Sequence, residues 1–262
     1  MPEGYPTQWT PMPPPPPPPV VKLEPTTRRD LVWETRWVMV AFLLPAVMGA
    51  VLLFAEHVAG VGNITRFPVY VKDPVGNLII GILNYLPVAS VVPLGLFLLA
   101  RTGQSPKMLG LGVPKFGRDI WPGLGLAAAA FGSEIVLIIP LAPLLAHSAS
   151  LTNKVAVGHV PAYYVIWGIS ISLTTAITEE VLVNGYLMTR LEQLGWTPRS
   201  ALILSLALRT SYHVYYGLGF ILTIPFGYYV TRSFQKHKRL NRPIAAHFLF
   251  DSILFTITIL WK

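Results

Sequence analysis

The sequence contains no cysteine, which excludes disulfides and cysteine-ligated metal centres and leaves the redox compartment open. Charge is scarce as well. Asp, Glu, Lys and Arg together make up 12% of the 262 residues, about half the share usual in soluble domains. Hydrophobic residues reach 53%, more apolar surface than a soluble fold of this length can hide. Acidic residues are the rarer sign, twelve against twenty Lys and Arg, for a formal charge of +8. A basic excess can mark a nucleic-acid binder, but in a membrane protein it collects in cytoplasmic loops, so its placement decides. No short apolar stretch follows a basic start, and no signal peptide is expected.

What is present begins with proline. Pro11 and the run from Pro13 to Pro19 favour an extended polyproline conformation and supply no core, so the N-terminal tail is read as disordered. From residue 36 onward, apolar stretches alternate with short polar ones. Seven spans are expected, near 36–55, 78–100, 119–146, 161–189, 199–216, 217–234 and 243–261, most of them close to the roughly 20 residues that cross a bilayer core. The fifth and sixth meet at Gly217 with almost no loop, which implies a tight antiparallel hairpin. With the N-terminus inside, fifteen Lys and Arg fall in inner segments. Only Arg66, Lys72, Lys154 and Lys262 fall outside, and Arg209 alone lies within a span. This asymmetry places the N-terminus and the loops near 101–118 and 232–242 in the cytoplasm. It also accounts for the net charge without nucleic acid. Asn63-Ile64-Thr65 is read as a chance match to a glycosylation acceptor.

Ionisable groups inside the spans are where function is sought, because each costs about 2.5–3.5 kcal/mol at a helix centre on insertion scales. They are Glu134, Glu179, Glu180, Arg209, His213, His247 and Asp251. Glu180 and Asn184 are four apart, as are Arg209 and His213, and His247 and Asp251, and such pairs share a helix face. Three polar stripes are most simply satisfied by facing one another. The resulting water-poor cavity suits hydrolysis: a carboxylate raised in pKa by burial and a like-charged neighbour can take a proton from water. Imidazoles can hold that water, ligate zinc or donate to a developing oxyanion. Glu134 is expected to pair structurally with a polar neighbour or water. The sequence has no His-Glu-x-x-His helix, no Gly-x-Ser-x-Gly elbow and no Gly-x-Gly before Asp251, which removes three other hydrolase chemistries.

At these residues the chain resembles the CPBP family of intramembrane proteases, which includes the Rce-type CAAX prenyl endopeptidases. The family pattern is Glu-Glu-x-x-x-Arg, then Phe-x-x-x-His, then His-x-x-x-Asn or Asp. Here these read Glu179-Glu180-Val181-Leu182-Val183-Asn184, Arg209-Thr210-Ser211-Tyr212-His213 and His247-Phe248-Leu249-Phe250-Asp251. Two positions depart: Asn184 stands where the family has arginine, and Arg209 where it has phenylalanine. The resemblance implies an endopeptidase acting near the cytoplasmic face on a peptide or protein substrate, including lipid-modified ones. Glu179 would be the base, with His213 as its partner, while Glu180 completes the carboxylate pair and His247 and Asp251 stabilise the tetrahedral intermediate. A zinc ion would take Glu179, His213 and His247 as ligands. Arg209 is expected to pair with Glu180 and so do the work of the missing arginine.

The fold expected is an all-α, multi-pass transmembrane bundle of about seven spans with a four-helix catalytic core. Residues 1–30 would be the tail, 31–158 the N-terminal helices and 159–262 the core, in a bacterial plasma membrane. Two other readings stay open, a catalytically inactive scaffold or immunity-type protein and a proton-coupled transporter, although no paired repeat of the transporter kind is visible. Counting about 1.5 Å per residue, His247 lies about 8 Å below Arg242, Glu179 about 16 Å below Arg190 and His213 about 21 Å below Arg199.

Overall fold

A computed structural model describes residues 27–59, 71–149 and 163–260. Most of the proline-rich tail, the Asn63 acceptor and three of the four outer cations (Arg66, Lys154, Lys262) lie outside the described residues.

The described chain is helical throughout. Helix α1 (Arg28–Val58) is followed by α2 (Pro74–Leu83), α3 (Leu86–Ala89) and α4 (Val91–Arg101), which are short stretches of one broken rod. Asp73 caps α2 by accepting from Gly76 N at 2.6 Å, and Pro74 starts it, as a residue with fixed φ and no N–H does well in a first turn. A π segment, Phe116–Ile120, leads into α5 (Trp121–Ala149). Next come α6 (Tyr163–Glu179), a second π segment (Glu180–Leu187) and α7 (Met188–Gln193), which form one continuous rod. Then follow α8 (Pro198–Ser211), a 3₁₀ segment (Val214–Leu222), α9 (Thr223–His237) and α10 (Asn241–Leu260).

The chain is thus an all-α membrane bundle. Among the described residues, four stretches are long and apolar enough to cross a bilayer: Arg28–Ala55, Pro74–Arg101, Phe116–Leu145 and Val165–Gln193. The expected fifth and sixth spans are different. Helix α8 has 14 residues and α9 has 15, rises of about 21 and 22 Å against a core of about 30 Å. Nor do they meet in a tight turn at Gly217. Nine residues of 3₁₀ helix join them, bent at Gly217, whose φ of 57° and ψ of −138° suit a residue without Cβ.

Small residues set how the helices of the last part of the chain approach. Gly123, Ala127 and Ala130 of α5 are buried. A Cβ at Gly123 would come 2.8 Å from Ala245 Cβ and 3.0 Å from Arg242 O, so this crossing with α10 depends on its absence, as close helix contacts in membranes generally do. Phe226 of α9 and Phe131 of α5 pack on Phe250 with ring centroids 4.8 and 4.1 Å apart.

The loops 102–115, 194–197 and 238–240 gather at one end of the bundle. Leu240 N donates to Leu109 O at 2.8 Å, Asn241 Nδ2 to Gly112 O at 3.0 Å and Gln235 Nε2 to Pro198 O at 2.8 Å. Arg239 pairs with buried Asp119 at 2.6 Å, and Lys238 with Glu192. Arg190, the inner anchor of the depth count above, is fully buried. Its guanidinium reaches Glu34 at 2.5 Å, Thr102 Oγ1 at 2.7 Å and Leu98 O at 2.8 Å, while Tyr186 donates to the same Glu34 oxygen at 2.9 Å. It pins α7 to α1 and α4.

Candidate active site

The site is built on a change of helical register. α6 ends at Glu179, and the next eight residues follow π geometry, with Met188 N bonding to Val183 O five residues back. Such segments put an additional residue into the turn and occur often at functional positions. Both of its polar side chains, Glu180 and Asn184, are fully buried, and Asn184 Nδ2 donates to Glu180 Oε2 at 2.5 Å.

Two other helices deliver the partners of Glu180. From α8, Arg209 Nη2 donates at 2.9 Å; from α10, His247 Nδ1 lies 2.9 Å from Oε1. Gly227 of α9 makes room for the arginine, since a Cβ there would come 3.2 Å from Arg209 Cδ. The other imidazole nitrogen, His247 Nε2, faces Asp251 at a looser 3.4 Å, and the ring packs edge-on against Phe226 at 4.9 Å. Glu180 is thereby held from three sides with no exposed surface, an arrangement that compensates the large desolvation cost of a carboxylate.

Glu179 is held differently. Its Oε2 accepts from Tyr212 Oη at 2.5 Å and lies 3.4 Å from Arg209 Nη1. Its side chain keeps 13% of its surface, against 0% for Glu180. Among the described residues Oε1 has no hydrogen-bond partner, so one oxygen is fixed and the other is available. Tyr212 is a residue whose role sequence reasoning missed. It can reach Glu179 because α8 stops at Ser211 and Tyr212 turns off the helix at φ −90°, ψ 5°.

His213 follows directly. Its Nδ1 lies 2.8 Å from Arg209 O. A carbonyl only accepts, so Nδ1 carries the hydrogen and, in the neutral ring, Nε2 is the acceptor. The ring packs 4.8 Å from Tyr212 and 5.9 Å from Tyr216.

Six of the eight residues singled out from the sequence (Glu179, Glu180, Asn184, Arg209, His247 and Asp251) thus form one network of hydrogen bonds and ion pairs. His213 joins it through the Arg209 carbonyl and the Tyr212 ring. Glu134 stays outside: half-buried on α5, it makes no hydrogen bond or ion pair with a protein group among the described residues, so the polar neighbour that was one of its two expected partners is not found there.

The zinc set Glu179, His213 and His247 is not assembled. Among the described residues no three His, Asp or Glu side chains are grouped to share an ion. Both nitrogens of His247 face carboxylates, which leaves the ring a donor rather than a ligand. These residues as arranged do not fit a metal.

In comparison with known proteins, residues 161–253 match the family model described as type II CAAX prenyl endopeptidase, Rce1-like. No curated protein and no solved structure matches the chain.

Proposed function

We propose that the chain, whose residues 161–253 match the Rce1-like CAAX prenyl endopeptidase model and whose helices are long and apolar enough to cross a membrane, is an intramembrane endopeptidase with Glu179 as its general base. The observation that carries this assignment is the asymmetry of the carboxylate pair. Glu180 has both oxygens occupied and no exposed surface, whereas Glu179 has one oxygen tied by Tyr212 and the other without a partner among the described residues. One carboxylate organises the site and its neighbour reacts.

In this reading water lies between Glu179 Oε1 and His213 Nε2, each accepting one of its hydrogens. Glu179 takes a proton as the oxygen adds to the scissile carbonyl carbon. The oxyanion is met by His247 Nε2–H, whose 3.4 Å contact with Asp251 is loose enough for a substrate oxygen to compete with it. Arg209, 3.4 Å from Glu179, balances the accumulating negative charge. The proton on Glu179 then passes to the amide nitrogen, the C–N bond breaks, and a carboxylate and an amine leave. No metal takes part. The substrate is a peptide or protein segment, including one carrying a lipid, cut within the membrane near the end where the basic loops gather, which we assign to the cytoplasm of a bacterial cell.

Asn184 in place of the family's arginine favours the alternative of an inactive scaffold with the same fold. The two are separated by comparing peptides from cells carrying wild-type protein and Glu179→Ala by mass spectrometry. Proteolysis predicts fragments that vanish with the variant and return with wild type. Identical peptide pools from equally abundant proteins establish the scaffold.

A further inference from the structure

A cleft of about 490 Å³ opens at the basic end of the bundle, lined among others by Arg232, Lys236 and His237 of α9, Pro198 at the start of α8 and Leu126 of α5. It shares no residue with the hydrolytic network. The lining contains three basic side chains and no carboxylate. The acids at this end are committed elsewhere, Asp119 to Arg239 and Glu192 to Lys238. Among the described residues Arg232 bonds only to the neutral Gln235, at 2.9 Å. The cleft carries net positive charge as a result; desolvation first, and then Arg242 and Lys236, hold the pKa of exposed His237 below the ordinary imidazole value.

The depth of the cleft narrows the choice of anion. Trp121 and Trp196, at the starts of α5 and of the turn into α8, are 63% and 44% exposed. Exposed tryptophans at the ends of membrane helices lie at the level of the lipid headgroups. The lining residues Pro198 and Leu126 follow Trp196 and Trp121 by two and five positions along the chain, and Leu126 gives the cleft an apolar wall.

We propose that this cleft is a binding site for the phosphate of an anionic glycerophospholipid, with Arg232 and Lys236 donating to the phosphate oxygens and His237 at the rim. The chemistry shared with free phosphate is charge-assisted hydrogen bonding to an oxyanion; the lipid is favoured because its acyl chains remain in the adjoining bilayer.

The test uses the full-length protein in detergent, native mass spectrometry, and three probes: dioleoyl phosphatidylglycerol, dioleoyl phosphatidylcholine and inorganic phosphate. Wild type is expected to retain one phosphatidylglycerol in preference to phosphatidylcholine. Each basic side chain near a lipid surface is worth about fivefold in binding. Lys236→Gln should therefore weaken retention about fivefold and Arg232→Gln/Lys236→Gln roughly twentyfold. Lys107→Gln/Lys115→Gln, two exposed cations at the same end but outside the cleft, should leave it within about twofold of wild type, because they make no charge-assisted hydrogen bond to the bound phosphate. Equal losses in the two double variants would reduce the effect to diffuse surface charge and overturn the proposal. So would undiminished retention by the cleft variants, or displacement of the lipid by an equal concentration of inorganic phosphate. Arg232 and Lys236 are exposed, so their variants should melt like wild type when no lipid is added.

Discussion

Arg209 bridges the two adjacent carboxylates: one terminal nitrogen is 2.9 Å from Glu180 and the other 3.4 Å from Glu179. It arrives from α8, not from the helix that carries the glutamates. Arg209→Ala should abolish peptide cleavage, because it leaves Glu180 buried beside His247 and Asn184 with its cationic support removed. Adding Asn184→Arg, which restores a guanidinium from the glutamates' own helix, should recover part of the rate. Full activity in Arg209→Ala would refute the assignment.

Tyr212→Phe removes one O–H and little volume. A hydrogen bond to a charged group contributes about 1.5–3 kcal/mol, so a fall in kcat of roughly 10- to 100-fold is expected, with KM little changed. A matching rise in KM alone would instead mean that Tyr212 touches substrate.

Chelation should not matter. Purified enzyme treated with a strong zinc chelator and shown metal-free by elemental analysis should cleave at its original rate, because both His247 nitrogens face carboxylates, Glu180 at 2.9 Å and Asp251 at 3.4 Å. Loss of activity that zinc alone restores would contradict this.

Arg190→Ala strands Glu34 and empties a fully buried position. Breaking a buried pair from one side costs about 3–5 kcal/mol, measurable as a lower midpoint of denaturant unfolding in micelles. Replacing Arg190 and Glu34 together by methionine should recover much of it. If the single variant unfolds like wild type, the pin between α7 and α1 is energetically idle.

Orientation is checked with single cysteines, for which the chain offers a clean background. Cysteines at Lys107 and Lys238 should be protected from an impermeant reagent in intact cells and react after permeabilisation. A cysteine at Lys72 should react from outside. The reverse pattern would invert the topology.

The spacing of charged residues in the sequence was enough to identify most of the network. Glu180 with Asn184 and His247 with Asp251 are four apart and do bond, and the lone mid-span cation, Arg209, did find Glu180. What the sequence did not reveal depends on where helices stop. Tyr212 follows Arg209 by three positions and reads as one more apolar residue; it reaches Glu179 only because α8 ends at Ser211. Gly217 read as a two-helix corner, yet the chain around it runs on as 3₁₀ helix, which no apolar count distinguishes from a span. Arg190 read as a surface cation because its partner Glu34 lies 156 positions away, in a helix with no matching pattern.

The π register of Glu180–Leu187 carries a consequence for how this chain can change. Losing one residue there would let the stretch relax into ordinary α-helix, the mildest alteration available to its backbone hydrogen bonds. Because the widened turn already absorbs that residue, the helix beyond it would keep nearly its present facing and Arg190 would stay beside Glu34, while inside the segment Glu180 and Asn184 could no longer both keep their places around Arg209. A one-residue deletion there would spare the packing of the bundle and fall on the site alone.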